Sequence, residues 1–280
     1  MQKTWFITGA SRGLGLEIAK AALRAGDRVV ATGRQRASLS EALGPDGETL
    51  LSVELDVIDA DQAKAAVATA VSRFGGIDVL VNNAGYGHLG FFEEMDAHDV
   101  QAQFATNLFG VFSTTWAALP AMRAARTGRI FNISSLGGLL GAELASLYCA
   151  SKFALEGFSE ALAKEVAPFG LFVTIVEPGP FRTDFLTPAS IRFGGHPVAD
   201  YDARRGQLRA GFEQRDGQQP GDPVKLADAM VKLANDPAPP MRFLAGSIAL
   251  DAAEAKLAAM LAEFDRWRAL SVSADGDYAS

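Results

Sequence analysis

Seven short runs rich in β-branched and aromatic residues recur along the chain, at residues 5–8, 28–31, 51–55, 79–81, 129–133, 172–176 and 242–245. Most are apolar on consecutive positions, the pattern of strands buried on both faces. The segments between them carry helical spacing. In residues 59–74 the apolar side chains Ala63, Val67, Ala70, Val71 and Phe74 fall at i, i+4, i+7, i+8 and i+11. Asp59 is placed to cap that helix, with Gln62 positioned to reach back to it. Strands alternating with amphipathic helices predict an α/β fold, a parallel sheet joined by right-handed crossovers with helices on both faces. In such a sheet ligands bind beyond the carboxyl ends of the strands, so functional residues are expected just after each apolar run.

No repeat, low-complexity tract or linker divides the chain, and residues 1–280 read as one domain. The most irregular stretch is 186–222, where Gly194, Gly195, Gly206, Gly211, Gly217, Gly221, Pro188, Pro197 and Pro220 lie among polar residues. A long loop of this kind reads as a substrate lid with a short helix. Residues 251–270 read as a terminal amphipathic helix for packing or subunit contact, with Trp267 near its end.

Composition narrows the function classes. A net charge of −7 and 21% charged residues argue against nucleic acid or an anionic membrane surface as partner. Cys149 is the single cysteine, so no internal disulfide and no cysteine-built metal site is expected. His88, His98 and His196 have no ligand-like spacing, and no metal is expected. Met1, Gln2 and Lys3 lead directly into the first strand, leaving no room for a removable leader. The most apolar stretch, 136–148, is broken by Gly137, Gly138, Gly141 and Glu143, and falls short of the about 20 apolar residues of a membrane span. The expected location is the cytoplasm.

The first strand runs into Thr8, Gly9, Ala10, Ser11, Arg12, Gly13, Leu14 and Gly15, followed by a helical run over 16–25. A glycine-rich turn opening a helix lets backbone N–H groups and the positive helix end approach a pyrophosphate. An NAD site carries an acidic residue about 20 positions past the glycines, whereas an NADP site carries arginine. Between Arg28 and Ser40 there is no Asp or Glu; the strand end holds Gly33 and Arg34, and Arg12 is placed to share a 2′-phosphate. NADP(H) is therefore expected over NAD(H). Asp56 and Val57 are placed for the adenine, and Asn82, Asn83, Ala84 and Gly85 follow the fourth strand at the same sheet edge.

After the fifth strand comes Ser135, and thirteen residues later Tyr148, with Lys152 at i+4 on the same helix face. A phenol with a pKa near ~10 needs help to exchange protons at neutral pH. A neighbouring cation moves such a pKa by ~1–3 units toward the charged form, and Lys152 with an oxidised nicotinamide would supply that field. Ser135 would bind the substrate oxygen. Asn107, a middling helix former inside a long helical stretch, is placed to kink the helix and hold a water on the proton path. Phe91, Phe92, Phe181, Phe185 and Phe193 are candidate walls of an apolar pocket, and His88 is a candidate for the pocket or a surface loop. Cys149 reads as a packing residue.

Taken together, Thr8-Gly-x-x-x-Gly-x-Gly15, Asn82-Asn-Ala-Gly85, Asn107, Ser135, Tyr148-x-x-x-Lys152 and Pro178-Gly179 with Thr183 resemble the motif set of the short-chain dehydrogenase/reductases. The resemblance covers residues 3–184. It implies a single-domain Rossmann fold with a doubly wound, seven-stranded parallel sheet, and commonly a homodimer or homotetramer. It makes Tyr148 the acid–base, Lys152 a ligand of the nicotinamide ribose, Ser135 the group orienting the carbonyl and Asn107 the end of the relay. Pro178, Gly179, Phe181 and Thr183 would meet the nicotinamide. The stretch from Tyr148 to Gly157 is similar to the branch that includes 17β-hydroxysteroid and retinol dehydrogenases, whereas the continuation past Phe243 departs from the acyl-carrier reductases. The expected activity is NADPH-dependent reduction of a hydrophobic ketone or aldehyde, or the reverse oxidation. A steroid- or retinoid-type substrate and a non-catalytic NADP(H) sensor are the alternatives.

Overall fold

Trp5, Phe6 and Ile7 are completely buried although they are consecutive, which is possible only for a strand covered on both faces. The computed structural model describes residues 2–276; Met1, named above in the leader argument, lies outside them. This strand, β1 (Thr4–Ile7), is at the centre of the sheet. It is followed by α1 (Gly13–Arg24), β2 (Arg28–Gly33), α2 (Arg36–Leu43), β3 (Leu50–Glu54), α3 (Ala60–Phe74) and β4 (Val79–Asn82). The second half contains β5 (Gly87–Leu89), α4 (Ala97–Phe104), α5 (Gly110–Ala125), β6 (Gly128–Ile133), α6 (Ser146–Val166), β7 (Leu171–Pro178), β8 (Ile191–Phe193), α7 (Asp202–Arg215), α8 (Pro223–Asn235), β9 (Arg242–Ala245) and α9 (Ser247–Val272).

Seven strands form one parallel sheet in the order β3-β2-β1-β4-β6-β7-β9. One apolar layer holds Trp5, Ile7 and Phe131 against Ile18, Leu39, Leu226 and Met230, and the other holds Phe6, Leu80 and Ile130 against Val67, Met122 and Leu162. The chain is thus a single-domain Rossmann-type α/β fold with seven parallel strands, as expected. Strand order reverses between β1 and β4, and their carboxyl ends open the crevice in which such sheets bind ligands.

Asp59 caps α3 by accepting from the N–H groups of Asp61 and Gln62. Gln62 donates to the Asp59 carboxylate at 3.0 Å, while its own oxygen accepts from Asp56 N–H, tying the helix start to the cavity edge. A second, two-stranded parallel sheet of β5 and β8 was not signalled by the sequence. The 186–222 segment is also more ordered than its glycines imply. It contains β8 and the fourteen-residue α7, with Gly206 and Gly211 inside the helix, where a short helix was expected.

The terminal helix is longer than expected. Only Ala249 and Ala253 of α9 are buried, while Leu257, Leu261, Phe264, Trp267 and Leu270 are exposed. These apolar side chains of residues 257–270 are thus left uncovered by the rest of the chain. No described helix is long and apolar enough to cross a membrane.

Candidate active site

The glycine turn after β1 is shaped by its backbone. Gly9 and Gly13 take left-handed φ values of +65° and +56°, which an ordinary side chain disfavours. A Cβ on Gly15 would collide with the Gly9 carbonyl and the Asn83 amide. The Asn83 side chain donates to the carbonyls of Thr8 (2.9 Å) and Gly9 (3.1 Å), and Thr8 Oγ1 accepts from the N–H groups of Asn83 and Ala84. Asn83, expected as a cofactor ligand, therefore spends its amide on stapling this loop to the end of β4. Arg12 at the α1 N-cap makes no side-chain capping bond. The helix start opens on a cavity of about 950 Å³ lined by Gly9, Ser11, Gly13 and Leu14, among others. An uncapped N-terminus beside a glycine-rich turn fits the pyrophosphate of a dinucleotide.

Farther along the cavity lie Gly33, Arg34, Asp56 and Val57, at the ends of β2 and β3. Arg34 is exposed and has no hydrogen bond or ion pair among the described residues, whereas Arg36 pairs with Asp46 at 2.6 Å. Arg12 lines the same cavity and donates to Ala189 O at 2.6 Å and Ser190 Oγ at 3.1 Å, because the segment before β8 passes over the glycine turn and offers these acceptors.

Ser135, Tyr148 and Lys152 meet at the mouth between β6 and α6. Ser135 Oγ accepts from Gly137 N–H at 3.0 Å, and Ser135 and the Tyr148 phenol both line the cavity. Lys152 is buried, its Nζ donates to Ile133 O at 2.7 Å and lies 5.9 Å from the Tyr148 ring centroid. Burial pushes the Tyr148 phenol up to about 12, opposed by the Ser135 side chain. Burial likewise lowers Lys152 to about 8, opposed by the Glu156 charge. In the protein alone desolvation dominates at the phenol, and the Lys152 ammonium is engaged with a carbonyl; the field expected to lower the phenol includes an oxidised nicotinamide as well.

Asn107 lies in a π-helical turn, residues 105–109, between α4 and α5. Its side chain is not free to hold a water. Oδ1 accepts from Tyr86 N–H, and Nδ2 donates to Tyr86 O and Ser151 Oγ. A π-turn of this kind is frequently found at functional sites.

Pro178 and Gly179 end β7, and with Phe181 and Thr183 they line the cavity opposite Tyr148. Of the five candidate phenylalanines, Phe181 and Phe185 line it. Phe91 stacks on Tyr201, Phe92 is exposed, and Phe193 lies under the Arg209 guanidinium. Sequence reasoning missed Tyr86, Thr106, Leu186, Arg192 and Gln219, which also face the cavity. Leu186, Arg192 and Gln219 belong to the 186–222 segment, Tyr86 precedes β5 and Thr106 lies in the turn at 105–109, so only the course of the chain brings them together. His88 is buried in β5 and faces Asp99 at 3.4 Å, away from the cavity. Asp96, His98 and Asp99 are close enough to share an ion, although each carboxylate already caps the start of α4. Cys149 packs against Leu89 and Ile191.

A dinucleotide cradle, a free phenol and a lysine one turn away are the parts of a nicotinamide oxidoreductase. The family model of the short chain dehydrogenases matches residues 3–191. The chain belongs to that family. Oxidoreductase BOA17 of Botryotinia fuckeliana is 40% identical over 275 residues, 98% of this chain and 99% of the relative. Retinol dehydrogenase 8 of Bos taurus is 37% identical, with 86% of this chain and 80% of the relative covered. The crystal structure of a short-chain dehydrogenase from Streptomyces avermitilis superimposes with a TM-score of 0.91 at 38% identity, covering 99% of this chain and all of the other. Like its family, this short-chain dehydrogenase is an oxidoreductase that works with a nicotinamide cofactor and a small-molecule substrate.

Proposed function

We propose that the protein is an NADPH-dependent carbonyl reductase, running in reverse as a secondary-alcohol dehydrogenase, on a hydrophobic ketone or aldehyde. The observation that carries the cofactor choice is Arg34, an unpaired cation at the end of β2 where the strand offers no carboxylate. Gly9, Ser11, Gly13, Leu14 and Gly15 would hold the pyrophosphate, Asp56 and Val57 the adenine, and Ala84, Gly85, Pro178, Gly179, Phe181 and Thr183 the nicotinamide side. When bound, the cofactor supplies or accepts the hydride.

The chain's own residues handle the proton. Ser135 donates a hydrogen bond to the substrate oxygen and orients it against Tyr148. A phenol held above its ordinary pKa is fully protonated at neutral pH, and so is ready to donate to an oxygen that is becoming an alkoxide. Lys152 restores the proton balance from the other side, its ammonium favouring the phenolate that remains. Phe185, Leu186 and Pro188 close an apolar wall over the site, which suits a hydrophobic substrate. Cytoplasmic location and a homodimer or homotetramer accompany this reading as family-level expectations.

The test is consumption of NADPH and of NADH by the purified protein across aryl ketones, aliphatic aldehydes, diketones and steroid ketones, with Tyr148→Phe alongside. NADPH-preferring activity that drops by at least about a hundredfold in the variant is the expected result, since acid–base catalysis contributes typically about 10²–10⁴-fold. Turnover surviving Tyr148→Phe sinks the mechanism. A preference for steroid ketones would favour the branch shared with retinol dehydrogenase 8. Tight NADPH binding without any turnover would favour a sensor.

A further inference from the structure

Beneath the catalytic residues lies a buried charge cluster that the proposed reaction does not itself use. Glu156, one helical turn past Lys152 on α6, is 5% exposed. One of its carboxylate oxygens accepts from Ser134 Oγ, and the other pairs with Arg242 on β9. Arg242 also pairs with Glu177, fully buried near the end of β7, and with the half-exposed Glu160. The groups facing Glu156 are thus Lys152 and Glu160 on its own helix, Ser134 after β6, Glu177 on β7 and Arg242 on β9.

The placement is specific. Lys152 grips Ile133 O, and Glu156 grips the hydroxyl of the next residue, Ser134, so two successive turns of α6 hold the segment that ends in Ser135. A Cβ on Gly138 would run into both Ser134 Oγ and Glu156, so the turn after Ser135 closes directly onto this pair. On the other side, Glu177 immediately precedes Pro178 and Gly179. One carboxylate thus holds the residue before the serine directly, lies one helical turn from the lysine, and is joined through Arg242 to the strand end that leads into the nicotinamide-side loop.

The geometry points to Glu156 as a positioning residue that fixes the segment carrying Ser135 and acts as the buried counter-charge keeping Lys152 an ammonium. This rests on the reading of Tyr148 and Lys152 as the acid–base pair. A carboxylate one turn away in a site screened from water favours the charged lysine strongly. Burial alone drives Lys152 toward the neutral amine, and the Glu156 charge is the influence that opposes it. Without that charge, the phenol would face an uncharged amine over part of the neutral range.

The test is a titration of the Lys152 side chain by carbon NMR of protein labelled at lysine Cε, with the resonance assigned by its loss in Lys152→Met. Glu156→Gln keeps the size and the capacity to accept from Ser134 but removes the charge. It is expected to move the Lys152 transition down by about one pH unit, and the high-pH limb of kcat/KM for carbonyl reduction should move with it. Glu160→Gln, on the solvent side of the same arginine, is expected to leave both in place. A folded Glu156→Gln protein whose Lys152 transition stays put, with activity reduced equally at every pH, would overturn the proposal in favour of a purely structural role. Should that variant not fold, Arg242→Gln approaches the same field from the opposite sign: with the cation gone the transition should rise, and an unmoved transition again overturns the proposal. The NMR measurement needs neither substrate nor cofactor, so its outcome is separable from failure of the carbonyl reductase reading, which would show as a silent rate assay.

Discussion

At the scale of single residues, Arg34 and Arg36 show how little separates a functional cation from a structural one. Two positions apart, one is paired with Asp46 and the other is free at the cavity rim. A charge-assisted hydrogen bond contributes about 1.5–3 kcal/mol. Replacing the free arginine with a carboxylate removes that bond and adds repulsion. Arg34→Asp is accordingly expected to lower the ratio of kcat/KM for NADPH over NADH by at least about tenfold, and an unchanged ratio would remove the phosphate argument. Asn107 gives the complementary lesson. Its position within a helix signalled an interruption, and a π-turn is there, but the identity of its partners, the Tyr86 backbone and the Ser151 hydroxyl, depends on a loop and a helix 21 and 44 residues away in sequence.

At the scale of elements, the 186–222 segment is held by ion pairs together with a small apolar cluster, in which Leu186, Ile191 and Phe212 pack with Leu89, Ala145 and Cys149. Helix α7 has no buried residue. Arg205 anchors it to Glu94, which is 2% exposed and also accepts from Val198 N–H at 3.1 Å, while Arg204 pairs with the exposed Glu143. Surface pairs such as Arg204 with Glu143 are worth little. Removing one partner of a buried pair is costly, about 3–5 kcal/mol, because the other charge is left without compensation. Arg205→Ala is therefore expected to speed amide exchange throughout β8 and α7 while leaving the central sheet protected. Adding Glu94→Gln should restore much of the protection, since it removes the stranded charge; exchange that is unaffected by Arg205→Ala would refute this account of the lid.

At the scale of the whole molecule, the ends of β6, β7 and β9 are joined through Glu156, Glu177 and Arg242, and this carries a stability cost that depends on pH. Burial and the Glu156 charge raise Glu177 from 4.5 to about 7. For a carboxyl raised by folding, the folded state binds the extra proton, so the associated stability is complete below about 4.5 and is lost as pH rises toward 7. Glu177→Gln should thus raise Tm at pH 8, with the gain shrinking to nothing by about pH 4.5; a gain that is independent of pH would contradict the assignment. The same contrast separates what the chain announces from what the fold decides. Consecutive apolar runs and helical spacing are local properties, the motifs at 8–15, 82–85, 135 and 178–183 follow strands directly, and 148–152 shows i, i+4 helical spacing, so the sheet, the cradle and the serine, tyrosine and lysine were legible without coordinates. The lid helix was not, because Gly206 and Gly211 read as loop while its ion pairs reach back to Glu94 and Glu143. Nor were the bonds of Arg12 to Ala189 and Ser190, the use of the Asn83 amide as a staple, or the cluster beneath Lys152. Each of these depends on side chains separated by tens of residues or more, whose meeting is set by the packing of strand ends against helices and not by any local pattern.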